Sequence, residues 1–102
     1  MNKADIEREA QQILDGEVGR LRRVPYNELL RYLEPHAFEV AAPSGRVFQV
    51  EVTALWDDRK QGHLRVITAT DDSKGWGLRD YKSDDFIITP DGRFIGEGAQ
   101  ET

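Results

Sequence analysis

The chain has 102 residues, no cysteine, and a net charge of −5 from 19 acidic and 14 basic residues. This length corresponds to one domain, residues 1–102, that can bury a single core. The lack of cysteine excludes disulfides, thiolate metal sites and cysteine nucleophiles. The acidic balance disfavours a nucleic-acid-binding protein, because such proteins bind phosphates through basic surfaces.

The first residues read MNKADIEREAQQIL and contain no apolar core of the kind that a signal peptide has. No apolar run is long enough to span a bilayer. We therefore expect a cytoplasmic protein without a membrane segment.

Two helices are expected before residue 35. Ile6, Ala10 and Ile13 recur at helical spacing, and Gly16 is placed to end that helix, which predicts a first helix over about 2–15. The apolar pattern also allows a longer helix that continues through Gly16 and Gly19, at a cost of about 2 kcal/mol for the two glycines. Pro25 can begin a second helix, and the proline at 35 ends it, which predicts a helix over about 25–34.

From residue 37 the apolar period changes to two, which is typical of strands. On the strand RVFQVEVTALW, one predicted face consists of Phe48, Val50, Val52, Ala54 and Trp56 and points to the core, while Gln49, Glu51 and Thr53 belong to the opposite face. The sequence TPDGR predicts a tight hairpin with Gly92 in a left-handed conformation. The sheet is expected over about 37–97, followed by a frayed tail at 98–102.

These elements predict an α+β fold. We expect two N-terminal helices packed on one face of a mainly antiparallel, roughly five-stranded meander sheet.

The segment DDSKGWGLRDYKSDDF, residues 71–86, is longer than most connections in a compact domain. Its GWGLRDY stretch can be a short strand that places Trp76 on the core, a loop that presents Trp76 and Tyr81 to a partner, or a disordered connection. Tryptophan, tyrosine and arginine dominate interaction hot spots, so in the second case Trp76, Arg79 and Tyr81 would form the binding surface.

No catalytic or metal-binding constellation is recognisable. The two histidines lie near predicted element boundaries, and the acidic pairs do not have the spacing of a calcium loop. Nothing activates a serine or threonine, and the glycines lack the lysine of a phosphate-binding loop. We expect no cofactor, no metal and no catalytic residue.

The helices, the meander and the stretch SDDFIITPDGRFIGE resemble small uncharacterised bacterial α+β domains of unknown function over about the last two-thirds of the chain. The resemblance implies no activity and no site residues. In size, charge and architecture the chain is also similar to small acidic immunity proteins that neutralise bacterial toxins.

The sequence therefore indicates a small non-enzymatic module that binds a protein partner or itself. The expected surface combines Trp76, Arg79 and Tyr81 with Gln49, Glu51 and Thr53. Alternatives are a small-molecule binder or enzyme with a cleft between the 71–86 loop and the sheet, a toxin-immunity-like inhibitor, and self-association through an edge strand at 38–42 or 93–97.

Overall fold

A computed structural model of the chain describes residues 3–72 and 82–97. Within them an N-terminal helical part is followed by an antiparallel sheet, so the fold class is α+β. The elements in chain order are helix α1 (Lys3–Leu21), helix α2 (Tyr26–Leu29), a 3₁₀ helix (Leu30–Leu33), and strands β1 (His36–Ala41), β2 (Val47–Asp58), β3 (His63–Asp72), β4 (Lys82–Ile88) and β5 (Phe94–Ile95).

Helix α1 extends beyond the predicted end at residue 15 and passes through both glycines. Its buried residues are Ala10, Leu14, Val18 and Leu21, which recur every three or four positions. Leu21 is fully buried. The helix continues because burial of Val18 and Leu21 offsets the backbone entropy that Gly16 and Gly19 lose on folding.

We expect Gly16→Ala to stabilise the protein by up to about 1 kcal/mol, because alanine is the better helix former. A Cβ at Gly16 would meet no atom within 4 Å, so the substitution removes entropy from the unfolded chain without a clash. Urea denaturation of the two proteins measures the difference. A loss of stability would show that α1 is not continuous at this residue.

The second predicted helix forms at nearly its predicted position but in two conformations. Residues 26–29 are α-helical, and Leu30–Leu33 form a 3₁₀ helix. Pro25 lies directly before the first turn with an extended backbone, and residue 34 is extended ahead of the proline at 35, as the restriction before proline requires. Leu29 and Tyr32 are the buried residues of this segment.

The five strands pair in chain order, β1-β2-β3-β4-β5, and every pair is antiparallel, which confirms the predicted meander. Two tight turns of similar sequence, APSGR and TPDGR, close the β1–β2 and β4–β5 hairpins. In the second, the N–H of Gly92 donates to the carbonyl of Thr89 at 2.9 Å. Gly92 has a φ of +89°, so its left-handed conformation is confirmed.

Alternation along β2 places Phe48, Val50, Val52 and Ala54 in the core, as predicted. Trp56 was expected among them but is 36 % exposed. Its pairing with the buried Leu64 keeps it on the same face as Ala54, one pair before the register of β2 with β3 shifts, so Trp56 lies at the end of the strand where the core ends. The main core cluster joins the sheet to the helices and contains Leu14, Val18, Leu21, Leu29, Tyr32, Val50, Val52, Ala54, Leu64, Val66, Phe86 and Ile88.

Two threonines on β3 interrupt this apolar core. Thr68 and Thr70 are each 1 % exposed, and within the described part of the chain their hydroxyls have no hydrogen-bond partner. A buried hydroxyl without a partner destabilises the folded state.

We therefore expect Thr68→Val to raise the free energy of unfolding by about 1 kcal/mol. Thermal unfolding would detect this as a higher melting temperature. The matched control is Thr53→Val, since Thr53 is only half-buried and should change little. A destabilised Thr68→Val protein would show that the hydroxyl does have a partner.

Arg22, directly after α1, contacts residues of the last hairpin. Its guanidinium lies over the ring of Phe94, 4.2 Å from the centroid, and 5.4 Å from that of Phe86. It also donates to both carboxylate oxygens of Glu97, at 2.9 Å in one bond. These hydrogen bonds lower the pKa of Glu97. The two-residue strand β5 is thus anchored by contacts outside the sheet.

Candidate functional site: the outer face of the sheet

The candidate site lies on the face of the sheet whose residues alternate with the core residues. Three residues expected at the site belong to it: Gln49 and Glu51 are exposed, and Thr53 is half-buried. We call this surface the outer face. It consists of the odd-numbered residues 37–41 of β1, 47–57 of β2, 65–71 of β3 and 83–87 of β4.

The other three expected site residues, Trp76, Arg79 and Tyr81, lie outside the described residues. The structure does describe where their segment is attached. β3 ends at Asp72 and β4 begins at Lys82, and Lys82 pairs with Thr70. The described residues on either side of the segment therefore lie beside the end of the outer face that carries Gln49, whose partner on β3 is Asp71.

Residues that face one another across the strands form rows on the outer face. One row consists of Ala37, Glu51, Ala69 and Ser83, one residue from each of β1 to β4. Directly opposite residues in an antiparallel sheet have Cβ atoms about 5 Å apart. Glu51 is therefore a long side chain between two alanines, and the surface on both sides of it is low.

A groove of about 480 Å³ lies along this row of residues. Its walls and floor include all four residues of the row together with Gln49 and Asp71. The sequence interpretation identified Gln49 and Glu51 but missed Ala37, Ala69 and Ser83, because alanine and serine carry no functional signal by themselves. Only the pairing of the strands brings these small residues next to Glu51.

The next row consists of Glu39, Gln49 and Asp71. The side-chain amide of Gln49 donates to the carboxylate of Glu39 at 3.1 Å. Gln49 thus fixes the position of one carboxylate at the rim of the groove. The rim and the centre of the groove together carry three acids from three different strands.

At the other end of the outer face, two acids are bound by an arginine of the same sheet. Arg65 donates to Asp57 at 2.8 Å and also to Asp85, and thereby joins β2, β3 and β4. The hydrogen bonds that Arg65 donates, first to Asp57 and then to Asp85, raise its pKa, so both acids of this pair are engaged by a cation within the protein.

The charge of the described outer face is strongly one-sided. Five of its residues are acids, namely Glu39, Glu51, Asp57, Asp71 and Asp85, and its one basic residue is Arg65. The whole chain has a net charge of −5, so most of the excess negative charge is on this surface. A cationic partner would be attracted to it at a distance.

The described residues of the outer face include no histidine. In the described ranges, 3–72 and 82–97, no three histidine or acidic residues lie close enough to hold a metal ion. The pKa values of Asp91 and Glu97 are lowered, by hydrogen bonds from Thr89 and from Arg22 respectively. Both acids belong to turn or inter-element contacts away from the groove, so these shifts mark structural contacts and not a reactive group.

Comparisons with family models, with curated proteins and with solved structures found no match. Among the described helices, none combines the length and the apolar character needed to cross a membrane.

Proposed function

We propose that the protein is a non-enzymatic module that binds another protein through its outer face. The observation that carries the proposal is the groove around Glu51, which lies on a broad, solvent-exposed and acidic surface of a regular sheet. A regular sheet is a rigid support, so a partner would bind without reorganising the backbone. Trp76, Arg79 and Tyr81 belong to the proposed surface as the segment attached beside the groove.

We infer that both helices lie over the opposite face. Leu14 and Leu21 of α1 and Leu29 of α2 share one core cluster with Val50 and Val66 of the sheet. These two strand residues alternate with outer-face residues. A helix on each side of the sheet would instead bury residues such as Glu51, which is exposed. This arrangement would leave the whole outer face open to a partner.

The test is a pull-down from lysate of the source organism with wild type, Glu51→Lys and Glu28→Lys. Glu28 is an exposed acid on α2, so its variant has the same charge change away from the outer face. We expect at least one protein to be recovered with wild type and with Glu28→Lys but not with Glu51→Lys. Circular dichroism checks that all three variants are folded. The same proteins recovered with all three variants would contradict the proposal.

The volume of the groove favours a second candidate function, a small-molecule binder, since about 480 Å³ is within the usual range for ligand pockets. A ligand that binds only the folded state raises the melting temperature as its concentration increases. Ala69→Leu fills the groove and should abolish the binding of any ligand there. We expect a thermal-shift screen to find no compound that stabilises wild type but not Ala69→Leu. Such a hit would favour the ligand binder over the protein-interaction module.

A further inference from the structure

We propose that the groove accepts a lysine or arginine side chain from a basic protein segment, and that the Glu51 carboxylate binds its cationic group. This inference rests on the proposed function and adds the chemical class of the partner. The outer face is a sheet surface without a covering element among the described residues, and its charge is complementary to a cationic partner.

The groove matches both parts of such a side chain. Lysine and arginine have an aliphatic stem that prefers an apolar surface and a charged end that prefers a carboxylate. Ala37 and Ala69 flank Glu51 on the two neighbouring strands and offer a low apolar floor to the stem. Glu51 stands between them and offers its carboxylate to the charged end.

Glu51 is the acid of the outer face that is available for this contact. In the described ranges no hydrogen bond and no ion pair engages its carboxylate. Glu39, by contrast, accepts a hydrogen bond from Gln49. Glu39 lies in the row beside Glu51, where its charge would add to the attraction without a direct contact.

At the other end of the outer face, an arginine of the protein itself already contacts carboxylates in this way. There Arg65, from within the sheet, lies between Asp57 and Asp85 and donates to both. In the groove row, the position on β3 that corresponds to Arg65 is occupied by Ala69. The outer face therefore has the guanidinium of Arg65 between carboxylates at one end. At the other end it has the groove, where the described residues place no such cation beside the carboxylate of Glu51.

The experiment uses the full chain, labelled with ¹⁵N, and a short acetylated peptide of alternating glycine and arginine. The same peptide with citrulline in place of arginine is the matched neutral probe. We expect the arginine peptide to shift the amide signals of residues around Glu51, Ala69 and Ser83, and the citrulline peptide to bind at least about threefold more weakly. Added salt should weaken binding of the arginine peptide.

Two variants with the same charge change separate the groove from general electrostatic attraction. We expect Glu51→Gln to weaken binding of the arginine peptide by about threefold or more, and Asp85→Asn to weaken it by less than twofold, because Arg65 already engages Asp85. A third variant, Ala69→Leu, keeps the charge and fills the groove, and should also weaken binding. The spectra themselves show whether each variant is folded.

Equal binding of the arginine and citrulline peptides would overturn the inference. Equal effects of Glu51→Gln and Asp85→Asn would also overturn it, since the peptide would then respond only to total charge. If the peptide result is negative but Glu51→Lys still loses a partner in the pull-down, the proposed function stands and the cationic partner class is wrong. If the peptide binds in the groove but no partner depends on Glu51, the proposed function fails.

Discussion

Leu21→Ala is expected to lower the free energy of unfolding by about 2–5 kcal/mol, the range measured when buried leucines are truncated. Leu21 is fully buried and belongs to the core cluster that joins the helices to the sheet. It lies beyond Gly16 and Gly19, so the size of the effect also reports whether α1 continues to its last residue. Urea denaturation measures the change as a lower midpoint at an unchanged slope.

The matched control is Leu33→Ala, which removes the same atoms from a side chain that is 41 % exposed. Because less apolar surface is lost from the folded state, the control should cost below about 1 kcal/mol. Equal effects at Leu21 and Leu33 would contradict the burial of Leu21 and with it the last turn of α1.

The extent of α1 shows where local propensity gives the wrong boundary. Gly16 and Gly19 together disfavour a helix by about 2 kcal/mol, and that cost is visible in the sequence. The gain from burying Val18 and Leu21 depends on what the rest of the chain places beside them. The apolar spacing permits both outcomes, and only the packed structure decides between them.

The β1–β2 hairpin was more predictable than the β2–β3 pair. In the first hairpin Ala42 donates to the carbonyl of Arg46 at 2.8 Å, and a tight turn of this kind fixes the register of the strands that follow it. The pairing of Ala37 with Glu51 could therefore have been derived from the APSGR turn. The side of the groove formed by β1 and β2 could therefore be predicted from the sequence.

The pairing of Glu51 with Ala69 has no such signal. The connection between β2 and β3 includes a register shift between Trp56 and Asp58, and a shift of one residue moves side chains to the other face. Trp56 still pairs with the buried Leu64, so alternation predicts its face but not how far the core extends along the strand. Alternation predicts which residues share a face, but the groove depends on which of them are neighbours across strands.

Gly62 joins three parts of the fold at the β2–β3 connection. Its carbonyl accepts a hydrogen bond from the hydroxyl of Tyr26, at 2.7 Å, which links it to α2. Its φ is +77°, in the left-handed region, and a Cβ at this position would lie 2.9 Å from Cγ of Pro90 in the last hairpin. The close approach of these elements therefore requires a residue without a side chain.

Gly62→Ala is expected to destabilise the protein by about 2–4 kcal/mol, of which about 1–2 come from the left-handed backbone and the rest from displacing Pro90. Gly92→Ala is the matched control, because Gly92 has a φ of +89° but no atom within 4 Å of the added Cβ. It should show the backbone cost alone. The difference between the two variants in urea denaturation therefore measures how tightly the β2–β3 connection packs on the last hairpin. Equal losses would mean that Pro90 moves aside without cost and that Gly62 is required only for its backbone conformation.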